Sequence, residues 1–293
     1  MSSSRPKRHH YVPEWYLEQF TDTKTGKVTI CDLKKKKWRE QIPNEIMCIK
    51  HHNRQEWVPK GVDPNIFENA IGEKIENPAK TSFKKLIENP RTLSSDDMAL
   101  MITYLHLQRI RVPRQADLAK EALKEFLYNV SREDPDIAAF YDTGLIRANI
   151  KEKLLRFQYM LAATGQYSPY FSRMIWEVNV APDDAAFITT DSPVSFFNES
   201  LSPDEEPNIS LAGTMVLFPL TPKHLLVLKH PDIETAPAIC HIPLDKIEKR
   251  PHSFARIQIS SEIVAFYNMI MTDLAHELVA ATNRAVIVSG IRK

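Results

Sequence analysis

The chain predicts an α+β fold, in which a helical layer from the N-terminal half packs with a mostly antiparallel sheet from the C-terminal half. Two patterns carry this expectation. Apolar residues recur at helical spacing through the middle of the chain, as Phe67, Ile71 and Ile75 and then as Met98, Met101, Ile102 and Leu105. After Gly165 the texture changes to short runs rich in β-branched residues, broken by Pro and Asp. Helices first and strands later is the order of an α+β arrangement, not of alternating βαβ units. A third observation sets the scale: 293 residues, 43% of them hydrophobic, can bury one large core. A single domain over 1–293 is therefore expected, with an N-terminal clamp and small hairpin in 1–60, a helical part in 61–165 and a sheet-rich part in 166–293.

The elements follow in order. Trp15, Tyr16, Leu17 and Phe20 suggest a brief amphipathic turn that docks its aromatic side. Residues 27–32 alternate and pair naturally with 37–42 across a lysine-rich turn at 34–36, giving a hairpin. Residues 46–59 show no period. A helix is expected to start at Asp63-Pro64, with Asp as cap and Pro in the first turn. A second begins at Ser94-Ser95-Asp96-Asp97, a capping-box candidate, and runs to a break near Val112, since the residue before Pro113 is pushed out of the α region. Helix resumes over 115–130 and again over 148–163. Strands are expected at 175–180, 186–190, 215–220 and 225–229, then a helix over 260–275 and a closing strand over 284–289. The acidic, Pro-rich stretch 198–213 reads as a mobile surface loop.

Bulk composition excludes several classes. No run approaches the ~18 apolar residues of a membrane span, and a polar, basic start without an apolar segment behind it argues against secretion, so a cytoplasmic location is expected. Cys31, Cys48 and Cys240 are too few and too widely spaced for a zinc site and read as free thiols. Only 7 glycines occur and none cluster, so no Gly-rich loop can cradle a phosphate, and no nucleotide or flavin cofactor is indicated. A formal net charge of +1 is neutral on polyanion binding. The basic residues Arg5, Lys7 and Arg8, and the run 34–37, nevertheless form two local patches that could meet a phosphate backbone. No repeat is visible, and oligomeric state leaves no trace.

The richest stretch is the first one: His9, His10, Tyr11, Val12, Pro13, Trp15, Tyr16, Leu17 and Phe20. Chain ends usually fray, so bulky and titratable side chains there imply docking into the body. His10-Tyr11-Val12-Pro13 with Tyr16-Leu17 and Phe20 resembles the opening signature of the family known as domain of unknown function 4238. The resemblance extends to a glutamate pair at Phe67-Glu68 and Ile75-Glu76, and to Gln108, Arg111 and Pro113 in a Gln-x-x-Arg-x-Pro helix. Further segments are Phe187-Ile188-Thr189-Thr190-Asp191-Ser192-Pro193-Val194, Phe218-Pro219-Leu220-Thr221-Pro222 and a late helical Asn268. Thr190 stands where the family usually has Ser, and Ser192 where it has Asn, which removes an amide donor beside the Asp. The resemblance implies positions and no reaction; on it, His9, Tyr11, Arg114, Asn268, Thr190 and Ser192 are taken as candidate binding residues.

The chemistry of these positions has a functional and a structural reading. His10 suits proton transfer near neutral pH or metal ligation, or it caps an acidic neighbour while the aromatics anchor the tail. Glu68 and Glu76, eight residues apart, can share a helix side and join Asp191 as an oxygen shell for Mg²⁺ or Mn²⁺; otherwise they form a solvated face. Gln108 and Arg111 are one turn apart, with Arg114 nearby, and can grip an anion. The alternative is an internal salt bridge from Arg111 to Glu68 or Glu76. Asp191 ends a strand, placed either for a metal or as an ordinary Asp-Ser-Pro turn. The functional reading makes the protein a metal-assisted, nuclease-like phosphodiester hydrolase, with His10 as acid or base, Asp191 and the glutamates on the metal, and Arg111 and Gln108 on the phosphate. The alternative is a non-catalytic binding module for nucleic acid or an anionic ligand, and a third reading makes the opening signature a packing clamp.

Overall fold

A computed structural model describes residues 8–52, 54, 58–133, 135–143, 168–202, 205, 207–231, 240–247 and 254–291. The expected helix over 148–163 lies outside these. The described residues form a mixed α+β structure: a small N-terminal sheet, central helices, and mostly antiparallel sheets toward the C-terminus.

The opening signature is built in at once. Strand β1 (Arg8–His10) pairs antiparallel with β4 (Cys48–Lys50), His9 opposite Ile49 and His10 opposite Cys48. A turn of helix α1 (Glu14–Leu17) follows, tightening into a 3₁₀ turn that ends at Phe20. The hairpin forms where the alternation placed it, β2 (Val28–Asp32) against β3 (Lys37–Gln41). It does not stand alone. The four-stranded sheet runs β3-β2-β11-β6, in which β11 (Leu278–Ala281) lies between β2 and the two-residue β6 (Thr189–Thr190).

Of the two predicted caps the second forms and the first shifts: the first central helix begins behind Asn65, which makes no side-chain cap bond, instead of at Asp63-Pro64. Helix α2 (Ile66–Ile71) opens after an Asp63 carboxylate that accepts the Asn65 amide at 3.0 Å, and it continues through a π-helical turn at Gly72–Glu76 into α3 (Asn77–Glu88). Helix α4 (Ser95–Ile110) starts on the expected capping box. Ser94 Oγ accepts the Asp97 amide at 3.1 Å, and Asp97 Oδ2 accepts the Ser94 amide at 2.9 Å. Ser82 and Lys85 also donate to the Asp97 carboxylate, and with the backbone they hold it well below the usual carboxylate range. The chain breaks at Arg111-Val112, and α5 (Pro113–Ser131) and the short α6 (Pro135–Asp142) follow.

The five-stranded sheet has the order β10-β5-β9-β8-β7, from β5 (Ile175–Val180), β7 (Ser195–Phe197), β8 (Met215–Thr221), β9 (His224–Lys229) and β10 (Phe254–Gln258). All neighbours are antiparallel except β10 on β5. Pro219 sits within β8 at a register shift, where a missing amide hydrogen is tolerated, and its carbonyl accepts the Tyr16 hydroxyl at 2.7 Å. Helices and sheet meet there. The Phe218 ring stacks on Tyr16 at 5.2 Å and tilts against Phe83 at 5.4 Å and Tyr104 at 5.9 Å.

Helix α7 (Ser261–Asp273) matches its expected span, but the closing strand is overturned. Residues Arg284–Gly290 are a helix, α8, capped by Asn283, whose Oδ1 accepts the Val286 amide at 3.2 Å. Strands β1, β4, β7, β10 and β11 had not been expected. The loop after β7 is tied down rather than loose in its described parts: the Asn198 amide donates to Thr214 Oγ1 at 3.3 Å, and Thr214 donates to the Asn208 carbonyl at 2.9 Å. The three cysteines are free thiols. Among the described residues, no helix is long and apolar enough to cross a membrane.

Candidate functional site at the N-terminal signature

The predicted residues fall into two groups joined by Tyr11. The first group centres on Arg111, at the end of α4 with 1% of its surface exposed. Its Nη1 donates to Glu76 Oε1, while Nε donates to Gln108 Oε1 at 2.9 Å. Gln108 is fully buried and spends its amide hydrogen on the Tyr11 carbonyl at 2.9 Å. The Tyr11 amide in turn donates to the Met47 carbonyl at 3.0 Å. Met47 holds a left-handed φ of 48°, as does His51 at 56°, so both turns flanking β4 carry non-glycine residues in strained backbone. A relay thus runs from Glu76 through Arg111 and Gln108 to the main chain of the signature.

This is the internal salt bridge weighed above, made to Glu76. Burial alone would lower the Arg111 guanidinium, but the Glu76 carboxylate outweighs it and the group lies above its ordinary pKa. Arg111 and Gln108 are therefore engaged with each other and with the protein, and the expected grip on a substrate phosphate is not what their hydrogen bonds make. Glu68, half-buried, adds its charge to both Arg111 and His10.

Among the described residues of this group, His10 is the one with an unpartnered polar atom: its ring nitrogen Nε2 is buried and has no hydrogen-bond partner. Burial pushes its pKa below the usual imidazole value. Glu14 and the Pro43 carbonyl pull the other way, as does Glu68, and Arg111 adds to the depression. A neutral ring with one bare nitrogen, carboxylates around it and a cation beyond them can accept a proton from a bound group. His9, on the opposite strand face, is buried with its ring edge-on to His51 at 6.4 Å.

The second group surrounds Asp191, which is also buried. Its Oδ1 accepts the His276 amide at 2.9 Å, and Oδ2 accepts those of Glu277 and Leu278 at 2.8 and 2.9 Å. Burial raises its pKa above the usual carboxylate value, and the three amides offset part of that rise. Asp191 therefore fastens the start of β11, and the expected Asp191–Glu68–Glu76 metal shell does not form. Among the described residues, no three His, Cys, Asp or Glu side chains are grouped to hold a metal ion. Thr190 Oγ1 accepts the Ser192 amide at 3.1 Å, and Ser192 Oγ is buried with no hydrogen-bond partner. Asn268 is fully buried, accepting the Ile188 amide at 3.1 Å and donating to the Ala186 carbonyl at 2.9 Å. Both Thr190 and Asn268 thus hold backbone. Arg114 donates to the Leu274 carbonyl and feels the Asp191 charge.

Tyr11 spans the two groups. Its carbonyl belongs to the Gln108 relay, its ring lies edge-on to His52 at 6.1 Å, and its hydroxyl is pushed above its ordinary pKa, first by burial and then by Asp191. Sequence reasoning missed Glu14. The signal available was its place in the chain, just after the signature and directly behind Pro13 at the start of a helix.

These features define an α+β protein whose opening His-Tyr-Val-Pro segment is locked into the body by buried polar contacts from a central helix and from the Met47 main chain. A family model described as "Protein of unknown function (DUF4238)" matches residues 8–285, and the chain belongs to that family. No curated protein and no solved structure matches it.

Proposed function

We propose that the His10 cluster is the catalytic centre of a nuclease-like phosphodiester hydrolase, with His10 Nε2 as general base. The observation that carries the reading is the bare, buried Nε2 of a neutral imidazole flanked by Glu14 and Glu68. A positioned base of this kind contributes roughly 10²–10⁴-fold to rate. Mg²⁺ or Mn²⁺ would come in with the substrate, since such ions are commonly held by one or two carboxylates together with phosphate oxygens and water; Glu68 is the carboxylate on hand. Arg111 acts indirectly, by holding Gln108 and the Tyr11 main chain so that His10 keeps its place. The test is incubation of the full chain with single-stranded and duplex DNA and RNA, with each cation, beside His10→Ala and His10→Gln. Cleavage lost in both variants is expected, as is a fall in the parent that begins only at pH values below the ordinary imidazole pKa. Absence of cleavage, or equal cleavage by the variants, refutes the reading.

One observation favours a second reading. The Gln108 amide on the Tyr11 carbonyl is the contact a packing clamp would make. On that reading His10→Ala lowers the melting temperature as much as a core truncation does, and no substrate is turned over. A binding module for nucleic acid or another anion would have to rest on basic residues other than Arg111, which is committed to Glu76. Calorimetric titration with oligonucleotides in the absence of metal separates it from the hydrolase.

A further inference from the structure

We propose that the pocket formed by helix α3, helix α1 and the end of β8 binds a small aromatic monocarboxylate. Lys80, Phe83, Lys84, Ile87 and Glu88 recur at helical spacing, so one face of α3 carries two apolar side chains and two cations together. That face lines the pocket, together with Trp15 on α1 and Leu220 and Thr221 on β8. The space is about 380 Å³, inside the roughly 300–1,000 Å³ of small-molecule sites. Its apolar part is mostly aromatic. The half-buried Trp15 ring lies 5.6 Å from the Tyr104 ring, and Tyr104 meets the buried Phe83 ring at 5.4 Å. Trp15 and Phe83 are thus fixed through one core tyrosine and offer ring faces and edges to a flat apolar body.

The charges around the pocket point to the headgroup. Glu88 is the one acidic side chain among the described lining residues, and Lys84 pairs with it at 3.8 Å. Lys80 is exposed and makes no hydrogen bond or ion pair among the described residues, so one positive charge is left over. A single carboxylate matches it, whereas a dianion would bring a second charge toward Glu88 and an ammonium would face Lys80. An exposed lysine attracts weakly, so the rings supply the affinity and Lys80 the preference. The walls are also tied together. Arg256 Nη1 donates to the Ile87 carbonyl at 2.7 Å, and Nη2 donates to His224 Nε2 at 3.0 Å. A guanidinium only donates, so the His224 proton sits on Nδ1, which donates to Thr221 Oγ1 at 2.9 Å. Ile87 and Thr221 are thereby joined across two elements, and a pocket formed in advance loses less on binding. None of His10, Glu68, Gln108 and Arg111 lines this pocket, so the proposal stands apart from the hydrolase reading.

3-Phenylpropionate, 3-phenylpropanol and 3-phenylpropylamine share one body and differ in charge. Each is titrated into the full chain by calorimetry and by NMR, with the Trp15 indole resonance, assigned by its loss in Trp15→Phe, as reporter. The acid is expected to bind saturably with a Kd on the order of 1 mM and to move that resonance. It should bind severalfold tighter than the amine at low salt, with the gap shrinking as salt is added. Lys80→Gln should remove the preference for the acid over the alcohol while the melting temperature holds. Lys124→Gln, which takes the same charge from α5, should leave that preference intact. The proposal is overturned if the three probes bind alike, if none binds at roughly 10 mM, or if the two lysine variants weaken the acid equally. It is also overturned if a single-stranded oligonucleotide, and no aromatic acid, binds through Lys80.

Discussion

Replacing Glu76 by Gln leaves a fully charged guanidinium, 1% exposed, with its counter-charge gone. Breaking a buried ion pair from one side costs about 3–5 kcal/mol. The Glu76 side chain keeps 18% of its surface in water, and a Gln carbonyl can still accept from Arg111, so the cost falls to the bottom of that range or just under it: about 2–3 kcal/mol. Arg111→Met removes the cation but strands the Gln108 carbonyl oxygen. The double variant removes both charges and should cost less than the sum of the singles by about 2 kcal/mol. Urea unfolding followed by tryptophan fluorescence gives all four corners of the cycle, with the slope checked for constancy. The same relay predicts that Tyr11, released when Gln108 loses Arg111, exchanges its amide hydrogen faster in Arg111→Met. A Glu76→Gln cost under about 0.5 kcal/mol, or strict additivity in the cycle, refutes the relay.

Other expectations concern residues outside that pair. Burial depresses the His106 imidazole to about 4, so the unfolded chain takes the proton first and stability falls as pH drops from about 6.5 toward 4. The loss approaches ~3 kcal/mol; His106→Gln should flatten this window in pH-dependent urea midpoints, and an unchanged profile would count against the assignment. Asp191→Asn offers one acceptor and an amide to three backbone donors, and a loss of about 2–3 kcal/mol in chemical unfolding is expected. Gly290→Ala places a Cβ 2.8 Å from Asn268 Cβ, and the overpacking should cost about 1–3 kcal/mol by the same measure; a neutral result would show that α7 and α8 can separate. In NMR titration His10 should remain neutral at pH 7, its pKa below the imidazole reference.

What could be read from the chain was local chemistry with a period or a cap. Ser94 and Asp97 announced α4, Pro113 announced its break, and the alternation of 28–32 announced a strand. The misreading at 284–289 has a definite cause. Arg-Ala-Val-Ile-Val-Ser is rich in β-branched residues, yet the Asn283 cap and the close seat of Gly290 on Asn268 fold it as helix. Propensity lost to packing there. Leu278-Val279-Ala280-Ala281 hid in the opposite way. Alanine is a poor strand former, but the segment lies between two strands and is buried throughout, where small side chains fit. At the site, residue types offered a salt bridge from Arg111 to Glu68 or Glu76 beside an anion grip, but no spacing could choose between them or say that Gln108 reaches the Tyr11 carbonyl 97 residues earlier. Nor could it say that Asp191 turns inward onto backbone amides.

The placement of β11 sets an order of events during synthesis. Strand β2 needs β11 as its second neighbour, and roughly 250 residues separate the two. At ~5–20 residues per second a ribosome takes on the order of 10–50 s to cover that stretch. For all that time the nascent hairpin shows an open strand edge, the kind of surface other chains add to. Lys34, Lys35 and Lys36 lie at its turn and Lys37 opens β3, and their charge helps keep neighbouring nascent chains apart until the partner strand emerges.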